Sequence, residues 1–341
     1  MRKMLLFILL FIIIVFIMPI LFVNKKIINI GIGLNMNNMS VAHDISNSQD
    51  ELSIDEYDYS KYTKIKLLHK KTGKVKEINL DEYIANVVSA EMPVKFDIEA
   101  LKAQAIVART YTIYKITKSK KHKEADICDD STCCQAWISK EDRLKKWNKD
   151  KANKNWNKII KAVNDTKGKI ITYKDKPINA FFHANSGGKT DVPLYVWGGE
   201  GYPYLQVVET SGEENYSEYR SEAEFTKKEF EEKIKAKHKD FKIDYKQENC
   251  ISIKERDDSN RVKTVKIGNL NLSGVEARTI LGLRSANFEV QILEDKIKFT
   301  VIGYGHGVGM SQTGADSLAK QGKNYEEIIR HFYKDVEIRE M

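Results

Sequence analysis

The chain has 341 residues, a net charge of +8 and four cysteines. That length leaves room for one large domain or two lobes. Lysine clusters at Lys118, Lys120, Lys121 and Lys123, and again from Lys140 to Lys161, read as solvated helix faces that also suit an anionic polymer.

Met4 to Val23 is an apolar run interrupted only by Pro19, and about 20 such residues cross a bilayer as a helix. A cleaved signal peptide is the rival. Its apolar region is usually shorter, roughly 7 to 15 residues, and no small-x-small site precedes Asn24-Lys25-Lys26. Residues 1–26 therefore read as an uncleaved transmembrane anchor with basic flanks. Arg2 and Lys3 balance Lys25 and Lys26, so charge gives no vote on orientation. The short basic N-terminus is the easier end to leave in the cytoplasm, with the large C-terminal part outside, where nucleic acid is not an expected partner. Residues 27–61, rich in Asn, Ser and Asp, read as a flexible tether. Residues 62–341 are expected to form one elaborated α+β body of helices and short antiparallel strands with a cleft, residues 213–298 serving as charged scaffold or interaction region.

Within that body, strands are expected at 63–68 and 74–80 around a turn at Lys71-Thr72-Gly73. Asp81 should cap a helix running to about Ala90, and Asp97 a longer helix reaching about Thr117. Further helices are expected at 155–166, ended by Gly168, and near 225–235 and 273–281. Strands at 170–173 and 178–183 should pair around Asp175-Lys176-Pro177, and a hairpin should turn at 257–260. A strand at 296–302 should lead into a glycine-rich segment and then a helix.

Glu91 follows the apolar stretch Val87 to Ala90 and precedes Met92-Pro93. A carboxyl seated among apolar groups resists ionisation and becomes a useful general acid; the competing reading is a solvated residue on the last turn of an ordinary helix. Gly303, Gly305, Gly307 and Gly309 alternate through Gly303-Tyr304-Gly305-His306-Gly307-Val308-Gly309-Met310-Ser311-Gln312. They allow close backbone approach to a ligand before a helix N-terminus. The pattern is neither a Walker loop nor a dinucleotide fingerprint, and His306, Ser311 and Gln312 are candidates for lining a cleft.

Cys128, Cys133 and Cys134 are gathered in seven residues, with His122 six before Cys128. Thiolates and an imidazole suit zinc, with His122, Cys128 and Cys134 as ligands and Cys133 as a replacement. A Cys128–Cys134 disulfide is the alternative.

Ala90-Glu91-Met92-Pro93, Ala100 to Ala105 with Ala108-Arg109-Thr110-Tyr111, Cys128-Asp129 with Cys134-Gln135, Ser186-Gly187-Gly188 and Gly305 to Gln312 together resemble the stage II sporulation protein D family. The likeness runs from about Lys64 to the C-terminus. It implies a lytic transglycosylase that cuts peptidoglycan glycan strands during forespore engulfment, leaving 1,6-anhydro-N-acetylmuramic acid ends, with Glu91 as the catalytic acid. His122, Cys128 and Cys134 are similar to the zinc set of clostridial members. Many relatives read His-Cys-Gln where this chain has Cys133-Cys134-Gln135, and the upstream His122 is taken as the third ligand. One zinc per chain, structural in role, is expected. Gln104, Arg109, His183, Ser186, His306, Ser311 and Gln312 are the candidates for holding the glycan. The family also implies a partner amidase, a membrane scaffold and a position on the mother-cell side between the two membranes. Related domains known as amidase enhancers supply the second reading, a peptidoglycan-binding module that activates an amidase without activity of its own. A zinc peptidase ranks third, because no His-Glu-x-x-His helix is present.

Overall fold

A computed structural model describes residues 58–118, 121–199 and 201–341. The expected anchor and residues 27–57 of the expected tether lie outside them. Among the described residues no helix is long and apolar enough to cross a membrane.

Strands β1 (Lys64–His69) and β2 (Lys74–Asn79) pair antiparallel in full register, Lys64 opposite Asn79 and His69 opposite Lys74. Helix α1 (Leu80–Glu91) follows without a loop. Its N-cap is Asn79 rather than the expected Asp81: the Asn79 side chain accepts from the amides of Asp81 and Glu82 at 2.9 and 3.3 Å. A neutral amide oxygen ending a strand caps as well as a carboxylate does, which leaves Asp81 inside the first turn, where its charge opposes the helix dipole favourably. The helix runs through Glu91 to a cap at Met92, and Pro93 follows.

Helix α2 (Ile98–Lys118) is the axis of the fold. Asp97 caps it, its side chain accepting from the Glu99 amide at 2.9 Å. Every residue from Ala103 to Ile113 is buried; a helix enclosed on all sides belongs to a core, and its alanines let neighbours approach closely. Strand β3 (Ile127–Cys128) adds parallel to β1, which carries Cys128 to the edge of this sheet.

The basic stretch after Cys134 forms two helices, α3 (Lys140–Lys146) and α4 (Lys149–Asn164). The expected helix at 155–166 therefore begins six residues earlier, with Asn148 as N-cap, and its cap is Asp165; Gly168 takes its left-handed φ of 73° in the turn beyond.

Strand β4 (Lys169–Tyr173) turns back through Lys174 and Asp175, both at positive φ, onto the two-residue β5 (Lys176–Pro177). The expected strand 178–183 is not the partner of β4. Its last residues form β6 (Phe182–His183), which pairs in parallel with a segment more than 120 residues later in the chain. The short helix α5 (Pro193–Trp197) follows.

The expected helix near 225–235 divides into β7 (Arg220–Thr226) and α6 (Lys227–Lys235), joined by a capping box of Thr226 and Glu229. Strands β8 (Ile251–Arg256), β9 (Val262–Ile267) and β10 (Leu270–Ser273) form an antiparallel meander, with Asn260 at positive φ in the hairpin expected there. Helix α7 (Gly274–Leu281) follows. Strands β11 (Phe288–Ile292) and β12 (Lys296–Ile302) complete a sheet with β7. The chain then returns through β13 (Met310–Ser311), the parallel partner of β6, into α8 (Gln312–Lys320), α9 (Tyr325–Phe332) and β14 (Glu337–Glu340), which closes on β4.

The result is an α+β body with two apolar cores. One gathers around α2 with Tyr83, Leu101, Ile171 and Phe332; the other holds Phe230, Val265, Phe288 and Phe299 between the sheets of residues 220–302. Arg261, 2% exposed, bridges them by donating from Nη2 to the Ser186 carbonyl at 2.8 Å and from Nη1 to the Lys189 carbonyl at 3.0 Å. Gly307 lies against that guanidinium, so a Cβ there would stand 2.4 Å from Nη2.

Candidate functional site

Glu91 ends α1 half-buried, its carboxylate held from both sides. Oε1 accepts from the Ala136 amide at 2.6 Å, and Oε2 accepts from the Gln312 side-chain amide at 3.3 Å. Burial pushes its pKa above the usual carboxylate value, and the bonds from Ala136 and Gln312 draw it back only in part. Directly beyond it, Pro93, Lys95 and Phe96 form one wall of a groove of about 710 Å3. Asn215 and Tyr216, with Asp316 and Lys320 of α8, complete its lining, and the Tyr216 ring packs edge to face on Phe96 at 5.8 Å.

Gln312 is the first residue of α8, and Ser311 is its N-cap, accepting from the Gly314 amide at 3.3 Å. The position of both follows from the parallel β6–β13 pairing, which requires Gly309: a Cβ there would lie 1.9 Å from the Phe181 carbonyl oxygen.

Glu213 lies behind Ser311, fully buried. It accepts from the amides of Ser186 and Gly188 at 3.1 Å each, from the hydroxyls of Thr210 and Thr313 at 2.7 and 3.0 Å, and from the hydroxyls of Ser186 and Ser311. Burial pushes its carboxyl upward, but the Ser186, Ser311 and Thr210 donors outweigh it and leave the pKa below the ordinary value. Sequence reasoning missed this residue, which opens a charged segment read as scaffold. Its only signal is the hydroxyl-rich setting of the motifs that converge on it.

The other expected site residues divide by place. Ser186 belongs to the Glu213 network. His183 and His306 lie 5.6 Å apart, ring centre to ring centre. His183 donates from Nδ1 to the Val308 carbonyl at 3.1 Å, and its pKa is pushed down to about 3 by burial and then by Arg261. Burial likewise holds His306 well below its ordinary value, so both imidazoles are neutral. His306 also lines a small cavity of about 30 Å3 with Asp191, Arg261 and Arg278, enough for about one or two waters. Asp191 is pushed up to about 7 by burial; it is 2% exposed, so it is a sealed acid where Glu91 is an accessible one.

Arg109 and Gln104 are both fully buried in α2. Arg109 donates to the carbonyls of Thr166, Lys169 and Val163 at 2.8, 3.1 and 3.5 Å and faces Asp81 at 3.5 Å. It clamps the α4–β4 turn. Neither amide atom of Gln104 has a hydrogen-bond partner among the described residues, and nothing in the surrounding structure accounts for that.

The cysteine segment brings together both alternatives weighed from sequence. The ligand atoms of His122, Cys128, Cys133 and Cys134 all lie within 4.8 Å of one another. His122 Nε2 stands 3.5 Å from the Cys134 sulfur and 3.8 Å from that of Cys133, and the two sulfurs are 3.9 Å apart. A tetrahedron with metal–sulfur bonds of about 2.3 Å has edges of about 3.8 Å, so one nitrogen and three sulfurs fit zinc. All four cysteines are free thiols. Two residues past Cys134 comes Ala136, whose amide holds Glu91. Between them, Gln135 is pinned by its amide to Tyr83 Oη at 3.2 Å and Thr112 Oγ1 at 3.0 Å.

The family model described as stage II sporulation protein matches residues 68–173, and a domain of unknown function (DUF8618) matches residues 203–309. The chain is similar to stage II sporulation protein D of Bacillus amyloliquefaciens, 37% identical over 268 residues that cover 78% of this chain and 76% of that protein. It is equally similar to stage II sporulation protein D of Bacillus subtilis (strain 168), 37% identical over 269 residues with the same coverage. An amidase enhancer of Bacillus subtilis (strain 168) is 28% identical over 303 residues, 73% of this chain but 39% of that protein. With its Glu91, cysteine, Ser-Gly-Gly and glycine-rich motifs converging as described, the chain belongs to the stage II sporulation protein D family.

Proposed function

We propose that the protein is a lytic transglycosylase of peptidoglycan that acts in forespore engulfment. The observation that carries this reading is Glu91, a half-buried carboxyl with a raised pKa, held between two donors and two residues before Pro93, which lines an open groove. Two other buried carboxylates nearby are committed as acceptors: Glu213 as above, and Asp316 to the Asp97 amide at 2.6 Å and to Tyr216 Oη and Lys320 Nζ at 2.7 Å. Glu91 protonates the oxygen joining N-acetylmuramic acid to N-acetylglucosamine, and that C–O bond breaks. The 6-hydroxyl of the same muramic residue then bonds to C1 and gives its proton back to the Glu91 carboxylate, leaving a 1,6-anhydro end. A hydrolase commonly uses a second carboxylate to activate water or attack the sugar; an internal hydroxyl nucleophile removes that need. Gln312 orients the carboxyl, and its bond favours the ionised form that receives the returning proton.

His122, Cys128, Cys133 and Cys134 would hold one zinc ion. Four protein ligands leave no open position, so the ion would supply rigidity to the segment that ends at Ala136. The apolar run at 4–23 would anchor the protein in the membrane, with the body outside the cytoplasm near a partner amidase and a membrane scaffold.

The similarity to an amidase enhancer supports a second reading, a peptidoglycan-binding module that stimulates an amidase. Mass spectrometry of material released from purified peptidoglycan separates the two. Anhydro-muropeptides from the native protein alone, absent with Glu91→Gln, support cleavage. No release from the protein alone, with faster stem-peptide removal when an amidase is added, supports the module.

A further inference from the structure

Gln312 is bracketed. The residue before it, Ser311, and the residue after it, Thr313, both give their hydroxyls to Glu213 Oε1. Oε2 of the same carboxylate takes the Gly188 amide and the Thr210 and Ser186 hydroxyls. One buried side chain therefore draws two distant segments, Ser186–Gly188 and Ser311–Thr313, onto its own and fixes the first turn of α8 there. Burying a carboxylate is unfavourable unless its acceptors are filled, and an apolar side chain would join these segments without that cost. What the carboxylate adds is direction: six donors aimed at two oxygens leave the Ser311–Thr313 backbone a single orientation.

We propose that Glu213 is the positioning residue of the site, holding the Gln312 amide on Glu91 through Ser311 and Thr313. This rests on the reading of Glu91 as the acid. It assigns Glu213 no contact with substrate; the residue acts only through the placement of Gln312. A displacement of about 1 Å at a reacting group costs on the order of 100-fold in rate.

The test uses Glu213→Gln together with Thr313→Val, which removes one of the bracketing donors and keeps side-chain volume should the first variant fail to fold. Two quantities are read in each folded variant: kcat and KM on purified peptidoglycan, and the side-chain amide signal of Gln312 by NMR, assigned through Gln312→Ala. The expected result is a fall in kcat of about 10- to 100-fold with KM within about twofold, and a shifted or broadened Gln312 amide signal. A native Gln312 signal in a folded variant overturns the proposal, as does a rise in KM with kcat unchanged. If Glu91→Gln proves fully active, the glycan-cleavage reading fails, while the amide signal still decides whether Glu213 places Gln312.

Discussion

Gln312 meets Glu91 at 3.3 Å across 221 residues of chain. The contact needs the β6–β13 pairing, the α8 cap and the end of α1 in place together, and with the Ala136 amide it draws the Glu91 pKa back against the rise that burial causes.

Removing that contact should move the pH dependence of activity. The Gln312 bond favours the ionised carboxyl, so Gln312→Ala should raise the Glu91 pKa further. An acid works while protonated, so the rate falls as pH rises through that value, and this alkaline limb should lie at higher pH in the variant. Rate–pH profiles of the two proteins read the displacement; coincident limbs would remove Gln312 from the titration.

Glu91→Gln should abolish glycan cleavage without unfolding the protein. Loss of one positioned proton donor and acceptor costs about 100- to 10,000-fold. Because the folded pKa is raised, the stability contribution of Glu91 is fully present below the unfolded value and is lost as pH rises through the folded value. At neutral pH the variant should therefore equal or exceed the native protein by about 1 kcal/mol or less, a difference that closes on acidification. Thermal melts across pH check the sign.

Glu213 should show the opposite dependence. Its folded pKa is lowered, so its contribution is present above the unfolded value and disappears as pH falls through the folded one. Acid denaturation of native protein and Glu213→Gln, followed by circular dichroism, should converge at the acidic end. Curves that stay parallel throughout would show that the carboxylate is not the group being protonated.

Metal analysis should find one zinc per chain, and a chelator should lower the melting temperature. Cys133→Ser and Cys134→Ser should each lower it in metal-replete buffer and match the native protein once chelator is added, since the lost ligand then has nothing to bind. If Cys133→Ser alone melts like the native protein in both buffers, Cys133 lies outside the coordination set.

Arg109→Met should be costly for the fold. It takes the guanidinium away from the carbonyls of Thr166, Lys169 and Val163 and the facing cation away from Asp81, a loss of about 3–5 kcal/mol. Urea denaturation measures it. A variant of native stability with a raised KM would instead return Arg109 to the glycan contacts.

Most helices and the meander hairpin were legible because each follows from local signals: a cap, an apolar period, a turn residue. Glu91 stood out for the same reason, as a carboxylate closing an apolar run. Its partners did not. Ala136 donates through its backbone, to which sequence is silent, and Gln312 arrives through a parallel pairing of two-residue strands too short to leave a periodic trace. The separation of β6 from β4 was hidden likewise, since Ile178 to His183 carries the composition of a continuous strand. The cysteine cluster showed its chemistry in spacing, but whether three or four ligands converge depends on where β3 anchors Cys128 beside β1.

The late position of β13 and α8 has a consequence for biogenesis. A nascent chain that has emerged only as far as β12 already carries Glu91 and the segment that offers Ala136, yet neither Gln312 nor the Ser311–Thr313 bracket exists to complete the grip on that carboxyl. Completion of the site thus waits until α8 has emerged, and a product truncated before it would keep Glu91 while lacking half of what holds it.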